Sequence, residues 1–131
     1  MFTIKKKSKS LIRSAECLIS NAKLEDYYSA VTLLAIATDD ILKNFVNEIG
    51  LSVDHDTSLL YKFRLVKDLL KSEVDDEVMS NMSYILSTND YMEINNELAK
   101  FIYRNVSVLA DEITGYVLLH EYEIHCISLY G

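Results

Sequence analysis

Arg104 and His120 are the residues whose side chains best suit chemistry on a phosphate. A guanidinium presents a planar fork of donors that matches phosphate oxygens, and an imidazole can transfer a proton near neutral pH. Asn105 follows Arg104 directly, whereas His120 lies sixteen residues beyond Arg104. On a straight helix that separation is roughly 24 Å, so the two groups cannot act on one phosphate within a chain. Chemistry on one phosphate that uses both residues therefore needs a second copy to bring them together.

Arg104 also has an ordinary structural interpretation. It is one of only two basic residues after position 71, in a strongly acidic part of the chain. A carboxylate such as Glu97 or Asp111, or one on a neighbouring helix, can pair with it in a surface salt bridge. The sequence leaves both interpretations open, phosphate recognition and ion pairing.

Positive charge is concentrated at the start of the sequence. The chain has 13 basic and 20 acidic residues, and five of the basic ones lie within the first thirteen positions. The rest of the chain is therefore strongly acidic and repels nucleic acid unless a basic patch overrides it. The cluster is either such a patch, in contact with phosphate, or the solvated start of the first helix. It consists of Lys5, Lys6, Lys7, Lys9 and Arg13.

Histidines and carboxylates do not occur in a spacing typical of metal sites. His55 lies between two aspartates, and His120 and His125 are five residues apart, which places them on different faces of a helix. Neither His55 nor His120 has a glutamate three residues before it, as a di-iron centre in a helical bundle requires. We therefore expect no metal site and no cofactor.

The cysteines and the hydropathy pattern favour a cytoplasmic protein. Cys17 and Cys126 lie far apart in sequence and neither belongs to a CxxC pair, which indicates reduced thiols, with a single bridge between them as the alternative. Cys17 lies close to the apolar stripe of its segment and is interpreted as a small buried hydrophobe. No stretch has the roughly eighteen apolar residues of a membrane span, and no signal-peptide pattern precedes the first amphipathic segment. We expect no membrane association.

The composition indicates a helical protein. Half of the 131 residues are hydrophobic, yet the chain has no Pro, no Trp and only three Gly. A β-sandwich needs turn residues at about every 8–12 positions, so the composition counts against that fold. A phosphate-binding loop needs clustered glycines, so this kind of site is excluded. We predict an all-α fold, an up-and-down bundle of four to five helices, in which residues 1–131 form a single domain.

Apolar residues recur at helical spacing through most of the chain, and capping residues separate the segments. Five helices are predicted on this basis. They cover residues 9–22, residues 25–49, a segment capped by Asp56 or Thr57 that ends near Leu70, a segment capped by Ser72 that ends near Leu86, and a segment from Asp90 or Asn95 to His120.

Two glycines and the C-terminal tail carry separate predictions. Gly50 follows the second helix as a C-terminal residue in the left-handed conformation. Gly115 lies inside the fifth helix, where it predicts a kink or a close contact. Residues 122–130 alternate in hydrophobicity, which predicts a short strand or an extended clamp across the bundle.

Nine tyrosines occur in a chain without tryptophan. A tyrosine ring is apolar and its tip is polar, which suits the margins of a bundle and contacts between subunits. Stacking on nucleic-acid bases is the weaker alternative. The candidates for a dimer or partner surface are Tyr27, Tyr28, Tyr103 and Tyr116.

The first two predicted helices resemble those of the HEPN family of small helical domains. In that family a helix and a short turn lead to a long helix of the form Tyr-x-x-Ala-x-x-Leu-x-x-x-Ala, followed by Leu-Lys. The resemblance covers about residues 8–119. The segments that carry it are Ala15-Glu16-Cys17-Leu18-Ile19, Leu24-Glu25-Asp26-Tyr27-Tyr28-Ser29-Ala30, Leu34-Ala35-Ile36-Ala37 and Ile41-Leu42-Lys43-Asn44-Phe45.

Active members of the HEPN family are often metal-independent ribonucleases, whose motif opens with Arg, usually followed by Asn, Asp or His, and ends in a nearby His. Arg104-Asn105 matches the opening, but residues 109–111 are Leu, Ala and Asp, and the next histidine is His120. Gly115 stands where the second half of the motif would have its arginine. The resemblance therefore implies a HEPN-like domain without nuclease activity. It also implies dimerisation through helical faces and a role in a toxin–antitoxin or phage-defence system.

Three hypotheses of function follow. The leading one is a non-catalytic HEPN-like binding protein that forms a homodimer and has a protein partner, such as an antitoxin. The second is a metal-independent ribonuclease, a HEPN toxin, that uses Arg104 and His120. The third is an acidic protein of a virus or mobile element that binds and inhibits a host nucleic-acid-binding complex. Whether nucleic acid binds directly is left open.

Overall fold

The computed structural model describes residues 2–21, 24–88 and 93–120, with only the backbone of residues 24 and 25. Over these residues the protein is an all-α bundle of five helices without a strand, which confirms the predicted fold class. The helices are α1 (Lys6–Ser20), α2 (Leu24–Glu48), α3 (Leu59–Leu70), α4 (Asp76–Ser87) and α5 (Asn96–Leu119).

The central helix of the bundle is α2, which contacts each of the other four helices. Leu34, Leu42 and Phe45 on α2 are fully buried, and small residues such as Ala30 and Ala35 let neighbouring helices approach closely. Burial of one such Leu or Phe side chain stabilises the fold by about 1.5–3 kcal/mol. The amphipathic pattern of α2 therefore organises the core.

The exposed side of α1 includes Cys17, so the prediction of a buried thiol is wrong. Ala15 and Ile19 are buried, and Cys17 lies midway between them in sequence. Two residues correspond to about 200° of rotation on a helix, so Cys17 points away from both neighbours. On another side of α1, the Tyr103 hydroxyl donates to a carboxylate oxygen of Glu16 at 3.0 Å and connects α5 to α1.

The C-terminus of α2 confirms the prediction for Gly50. Gly50 has a φ of 86°, a left-handed conformation that costs glycine little. Its N–H donates to the carbonyl of Asn47, and the Leu51 N–H donates to the carbonyl of Val46. These two bonds form a Schellman motif, which satisfies carbonyls at the helix end.

The C-terminus of α3 has the same bonding pattern without a glycine. The Lys71 N–H donates to the carbonyl of Asp68, and the Ser72 N–H donates to the carbonyl of Lys67. Lys71 has a φ of 51° and is the one non-glycine residue with positive φ in the described part of the chain. A side chain in this conformation costs on the order of 1 kcal/mol. The strain lies next to the candidate site described below.

Two of the predicted N-caps are wrong. The N-cap of α3 is Ser58 rather than Asp56 or Thr57, because the Ser58 hydroxyl accepts a backbone N–H of the first turn. The N-cap of α4 is Asp75 rather than Ser72. Ser72 belongs instead to the C-terminal motif of α3, so it cannot also begin the next helix.

The long helix α5 begins after Asn95, whose side chain accepts the N–H of Leu98. This result selects Asn95 over Asp90 as the start. The helix continues through Gly115, where an added Cβ would meet nothing within 4 Å, so the predicted close contact is absent. The strand or clamp predicted for residues 122–130 lies outside the described residues.

Candidate functional site

The solvent side of α5 presents Arg104 between two apolar side chains. Phe101, Arg104 and Val108 follow at steps of three and four residues, so they lie on one face, and all three are exposed. In the described part of the chain Arg104 has no ion pair. The predicted salt bridge with Glu97 or Asp111 is therefore not formed. Each carboxylate is seven residues from Arg104, two helical turns away, beyond the reach of i,i+4 pairs.

The other two candidate catalytic residues are engaged elsewhere on α5. The Asn105 side-chain amide donates to the Phe101 carbonyl at 2.8 Å. His120 is the C-cap of α5, and its ring stacks on Tyr116 with centroids 4.3 Å apart. Since α5 is continuous between Arg104 and His120, the two side chains are roughly 24 Å apart within one chain. The structure does not bring them together.

A groove of about 570 Å³ lies between the end of α3 and the second half of α5. Leu69 and Lys71 line it from the α3 side, and Val108, Tyr116 and Leu119 line it from α5. Leu69 and Val108 are about two-fifths exposed and Leu119 is 83% exposed. We call this surface the α3–α5 groove. Apolar side chains exposed beside polar ones are typical of protein contact surfaces.

Glu112 joins the connection between α3 and α4 to the edge of the α3–α5 groove. Its Oε1 accepts the Ser72 hydroxyl at 2.6 Å, and its Oε2 accepts the Glu73 N–H at 2.8 Å. The Val74 N–H in turn donates to the Ser72 hydroxyl at 3.1 Å. We call Ser72, Glu73 and Glu112 the Glu112 clasp. Because both carboxylate oxygens accept bonds, Glu112 is committed to the fold, unlike Asp111 beside it.

The four candidate tyrosines do not form one surface. Tyr27 is 6% exposed and belongs to the core, because its ring lies on the inner face of α2. Tyr28 is half-buried against the core. Tyr103 connects α5 to α1, and its burial together with the Glu16 carboxylate raises the pKa of its hydroxyl. Tyr116 alone lines the α3–α5 groove.

The basic residues at the start of α1 remain in solvent. Lys5 is the N-cap, but its side chain makes no capping bond, and the first turn has no acidic residue. Lys6, Lys9 and Arg13 follow at steps of three and four, so they share one side of α1. The exposed candidates for phosphate contact are Lys5, Lys6, Lys7, Lys9 and Arg13.

A buried ion pair between α3 and α2 was not predicted. Lys62 Nζ lies 2.7 Å from Asp39 Oδ1, and the Lys62 side chain is 4% exposed while that of Asp39 is 33% exposed. The helical spacing could have predicted this burial, because Lys62 lies three residues after Leu59 and four before Val66, both of which face the core. Lys62 is therefore a structural cation, in contrast to Arg104.

Among the described residues the structure does not bring the candidate catalytic residues Arg104 and His120 into one site. In residues 2–21, 24–88 and 93–120 no three His, Cys, Asp or Glu side chains group as a metal site. Each of the described helices is too short or too polar to span a bilayer. The chain matches no protein-family model, and no curated protein matches it significantly. The resemblance to HEPN domains therefore stays a prediction.

Proposed function

We propose that this protein is a non-catalytic, HEPN-like binding protein that acts as a homodimer and uses the exposed side of α5 and the α3–α5 groove for contact. One observation carries the proposal: Arg104 is exposed beside apolar side chains, and His120 lies roughly 24 Å along the same helix. Proton transfer requires a group within hydrogen-bond reach of the substrate. In the part of a single chain that the structure describes, Arg104 and His120 therefore form no acid–base pair, and the side of α5 around Arg104 is left as a surface for recognition.

Apolar side chains exposed on α3 and α5 support binding to protein. Tyr61, Leu65 and Leu69 recur at steps of four along α3, and all three are exposed. Phe101 and Val108 are exposed on α5. Exposed apolar side chains at helical spacing are typical of helix-to-helix contacts between subunits. A second copy and a protein partner such as an antitoxin are the occupants that we propose.

A ribonuclease is the second candidate function, and the unpaired state of Arg104 favours it. A guanidinium without an ion pair among the described residues retains its donors for a phosphate. Cleavage then requires His120 of a second copy, which must lie opposite Arg104 in the dimer. The ribonuclease is therefore a hypothesis about one particular dimer arrangement.

Two measurements on the full chain test the proposed function. In sedimentation velocity at tens of micromolar protein we expect a dimer. In incubations with total RNA we expect no cleavage by the wild type beyond that of Arg104→Ala. A strict monomer would contradict the homodimer, and cleavage that disappears in Arg104→Ala would replace the binding function with the ribonuclease.

A further inference from the structure

We infer that the second copy docks with its α5 antiparallel to the first, around a two-fold axis at Val108, so that Arg104 of each copy pairs with Asp111 of the other. This inference rests on the proposed homodimer and adds the arrangement of its subunits. Three properties of the exposed side of α5 support it: charge, shape and the apolar surface at the axis.

Charge complementarity comes from Arg104 and Asp111. Arg104 lies four residues before Val108 and Asp111 lies three residues after it. Along the helix axis these positions are roughly 6 Å and 4.5 Å from Val108, on opposite sides. An antiparallel partner therefore brings each guanidinium towards a carboxylate of the other copy. Neither side chain has an ion pair in the part of its own chain that the structure describes. Because a two-fold interface is isologous, the pair forms twice.

Shape complementarity comes from Phe101 and Gly115. Phe101 lies seven residues before Val108, and Gly115 lies seven residues after it. The Phe101 ring is 44% exposed, whereas the space that a side chain at Gly115 would take is open. In the antiparallel arrangement each ring lies against the bare backbone at Gly115 of the other copy. A small residue at this point lets the two helices approach closely.

The surface at the axis is apolar. Val108 is exposed, and Leu69 of α3 lies beside it in the α3–α5 groove. A second α5 placed here covers both side chains, as the centre of an interface requires, while Arg104 and Asp111 lie further out at the rim. Apolar contact at the centre and opposite charges around it fit a second copy of this chain better than a nucleic acid, which carries negative charge only.

The ribonuclease hypothesis requires a different register. To bring Arg104 opposite His120 of the other copy, the axis must lie at Glu112, which is eight residues from each. The two registers differ by four residues, roughly 6 Å along the helix. With the axis at Glu112, the exposed Asp111 of each copy lies one residue from the axis, so the two Asp111 carboxylates come close together, and like charges at short distance repel. With the axis at Val108 opposite charges meet, so the charge pattern selects the non-catalytic register.

Charge exchange tests the pairing of Arg104 with Asp111. In sedimentation velocity, Arg104→Asp and Asp111→Arg should each raise the dimer dissociation constant at least tenfold, because each creates two like-charge contacts. An equimolar mixture of the two variants should associate as a heterodimer with nearly wild-type affinity, since every contact is then between opposite charges. Lys43→Asp, which makes the same change of charge as Arg104→Asp at an exposed position of α2, is the matched control and should dimerise normally.

Crosslinking tests the register independently. In a chain with Cys17→Ser and Cys126→Ser, a cysteine on the two-fold axis meets its own copy, and a disulfide needs Cα atoms within about 7 Å. We expect Val108→Cys to form a crosslinked dimer on oxidation and Glu112→Cys to remain uncrosslinked. Crosslinking at Glu112→Cys alone would overturn the register in favour of the ribonuclease arrangement.

The outcomes separate this inference from the proposed function. If the wild type dimerises but both charge variants do too, or if their mixture fails to associate, the arrangement is wrong while the homodimer stands. If the wild type sediments as a monomer, the homodimer and its arrangement fail together. Restoration in the mixture together with crosslinking at Val108→Cys establishes the arrangement.

Discussion

Two cations in this protein, Lys62 at the contact of α3 with α2 and Arg104 on the solvent side of α5, lie in opposite environments. Lys62 is buried and paired with Asp39 at 2.7 Å, whereas Arg104 is exposed and without an ion pair in the described residues. A buried charge must be compensated by the fold, but an exposed charge need not be. The comparison teaches that Arg104, which has no partner in the described part of the fold, is the cation to examine for function, whereas Lys62 serves the fold itself.

The largest expected effect concerns the buried pair. Asp39→Ala should lower the free energy of unfolding by about 3 kcal/mol, because Lys62 is left buried without its partner. Lys62→Met should cost less than about 1 kcal/mol, since it removes the buried charge and leaves Asp39 partly in solvent. Urea unfolding followed by circular dichroism measures both. Equal losses in the two variants would show that Lys62 is not a compensated structural cation.

The exposed cation should behave in the reverse way. Arg104→Ala should change the unfolding free energy of dilute protein by less than about 0.5 kcal/mol, because the exposed side chain packs against little. The same variant should weaken the dimer about tenfold, a change of about 1.4 kcal/mol. Thermal unfolding over a range of protein concentrations measures this effect, because the Tm of a dimer rises with concentration. If Arg104→Ala destabilised the monomer, Arg104 would be a structural residue like Lys62.

Substitutions at Gly115 distinguish an effect on the stability of α5 from an effect on dimerisation. Gly115→Ala should stabilise the monomer by about 0.5–1 kcal/mol, because alanine is the better helix former and the added Cβ meets nothing within 4 Å. Gly115→Leu should also fold, but its side chain would occupy the space assigned to Phe101 of the other copy. Chemical unfolding and sedimentation of both variants provide the readouts. If Gly115→Leu dimerised normally, the proposed contact of Phe101 with Gly115 of the other copy would be wrong.

The smallest expected effect concerns two cations near the surface that are paired with Asp76: Arg64, which is exposed, and Lys67, which is half-buried. Lys67 and Arg64 lie 3.0 and 3.3 Å from Asp76, and the hydrogen bond from Lys67 is the largest cause that lowers the pKa of Asp76 below its usual 3.8. A lowered pKa in the folded state contributes stability above the unfolded value, and this is lost as the pH falls through the folded pKa. Asp76→Asn should therefore be slightly less stable than the wild type near neutral pH, and the difference should shrink as the pH falls below 3.8 and vanish only below the lowered pKa of Asp76 in the folded state. Unfolding curves measured over a range of pH check this prediction. A difference in unfolding free energy between the two proteins that stays constant with pH would contradict the role given to the lowered pKa of Asp76.

Local patterns predicted most of the fold. The helical period of apolar residues predicted five helices, and Gly50 predicted the end of α2, because both signals depend on neighbours in sequence. The errors at Asp56 and Ser72 arose where several residues that can cap a helix occur together. Cys17 was misplaced because one residue of rotation moves a side chain by about 100° on the helix.

The candidate site was less predictable because it depends on contacts between distant segments. Glu112 accepts bonds from Ser72 and Glu73, which lie 40 and 39 residues away, and no local pattern signals such a pairing. The unpaired state of Arg104 also depends on the neighbouring helices, which happen to place no carboxylate beside it in the described part. What the sequence did show was the unusual isolation of Arg104 in an acidic region.

The left-handed Lys71 couples the backbone to the groove beside it. Lys71 lines the α3–α5 groove and directly precedes the Ser72 that bonds to Glu112. A molecule that binds the groove and favours either the strained or the relaxed conformation of Lys71 must shift the equilibrium between them, and by thermodynamic reciprocity that conformation changes the affinity for the molecule. The roughly 1 kcal/mol that the left-handed Lys71 costs is thus located where the groove meets the α3–α4 connection, the place where such a molecule would act on it.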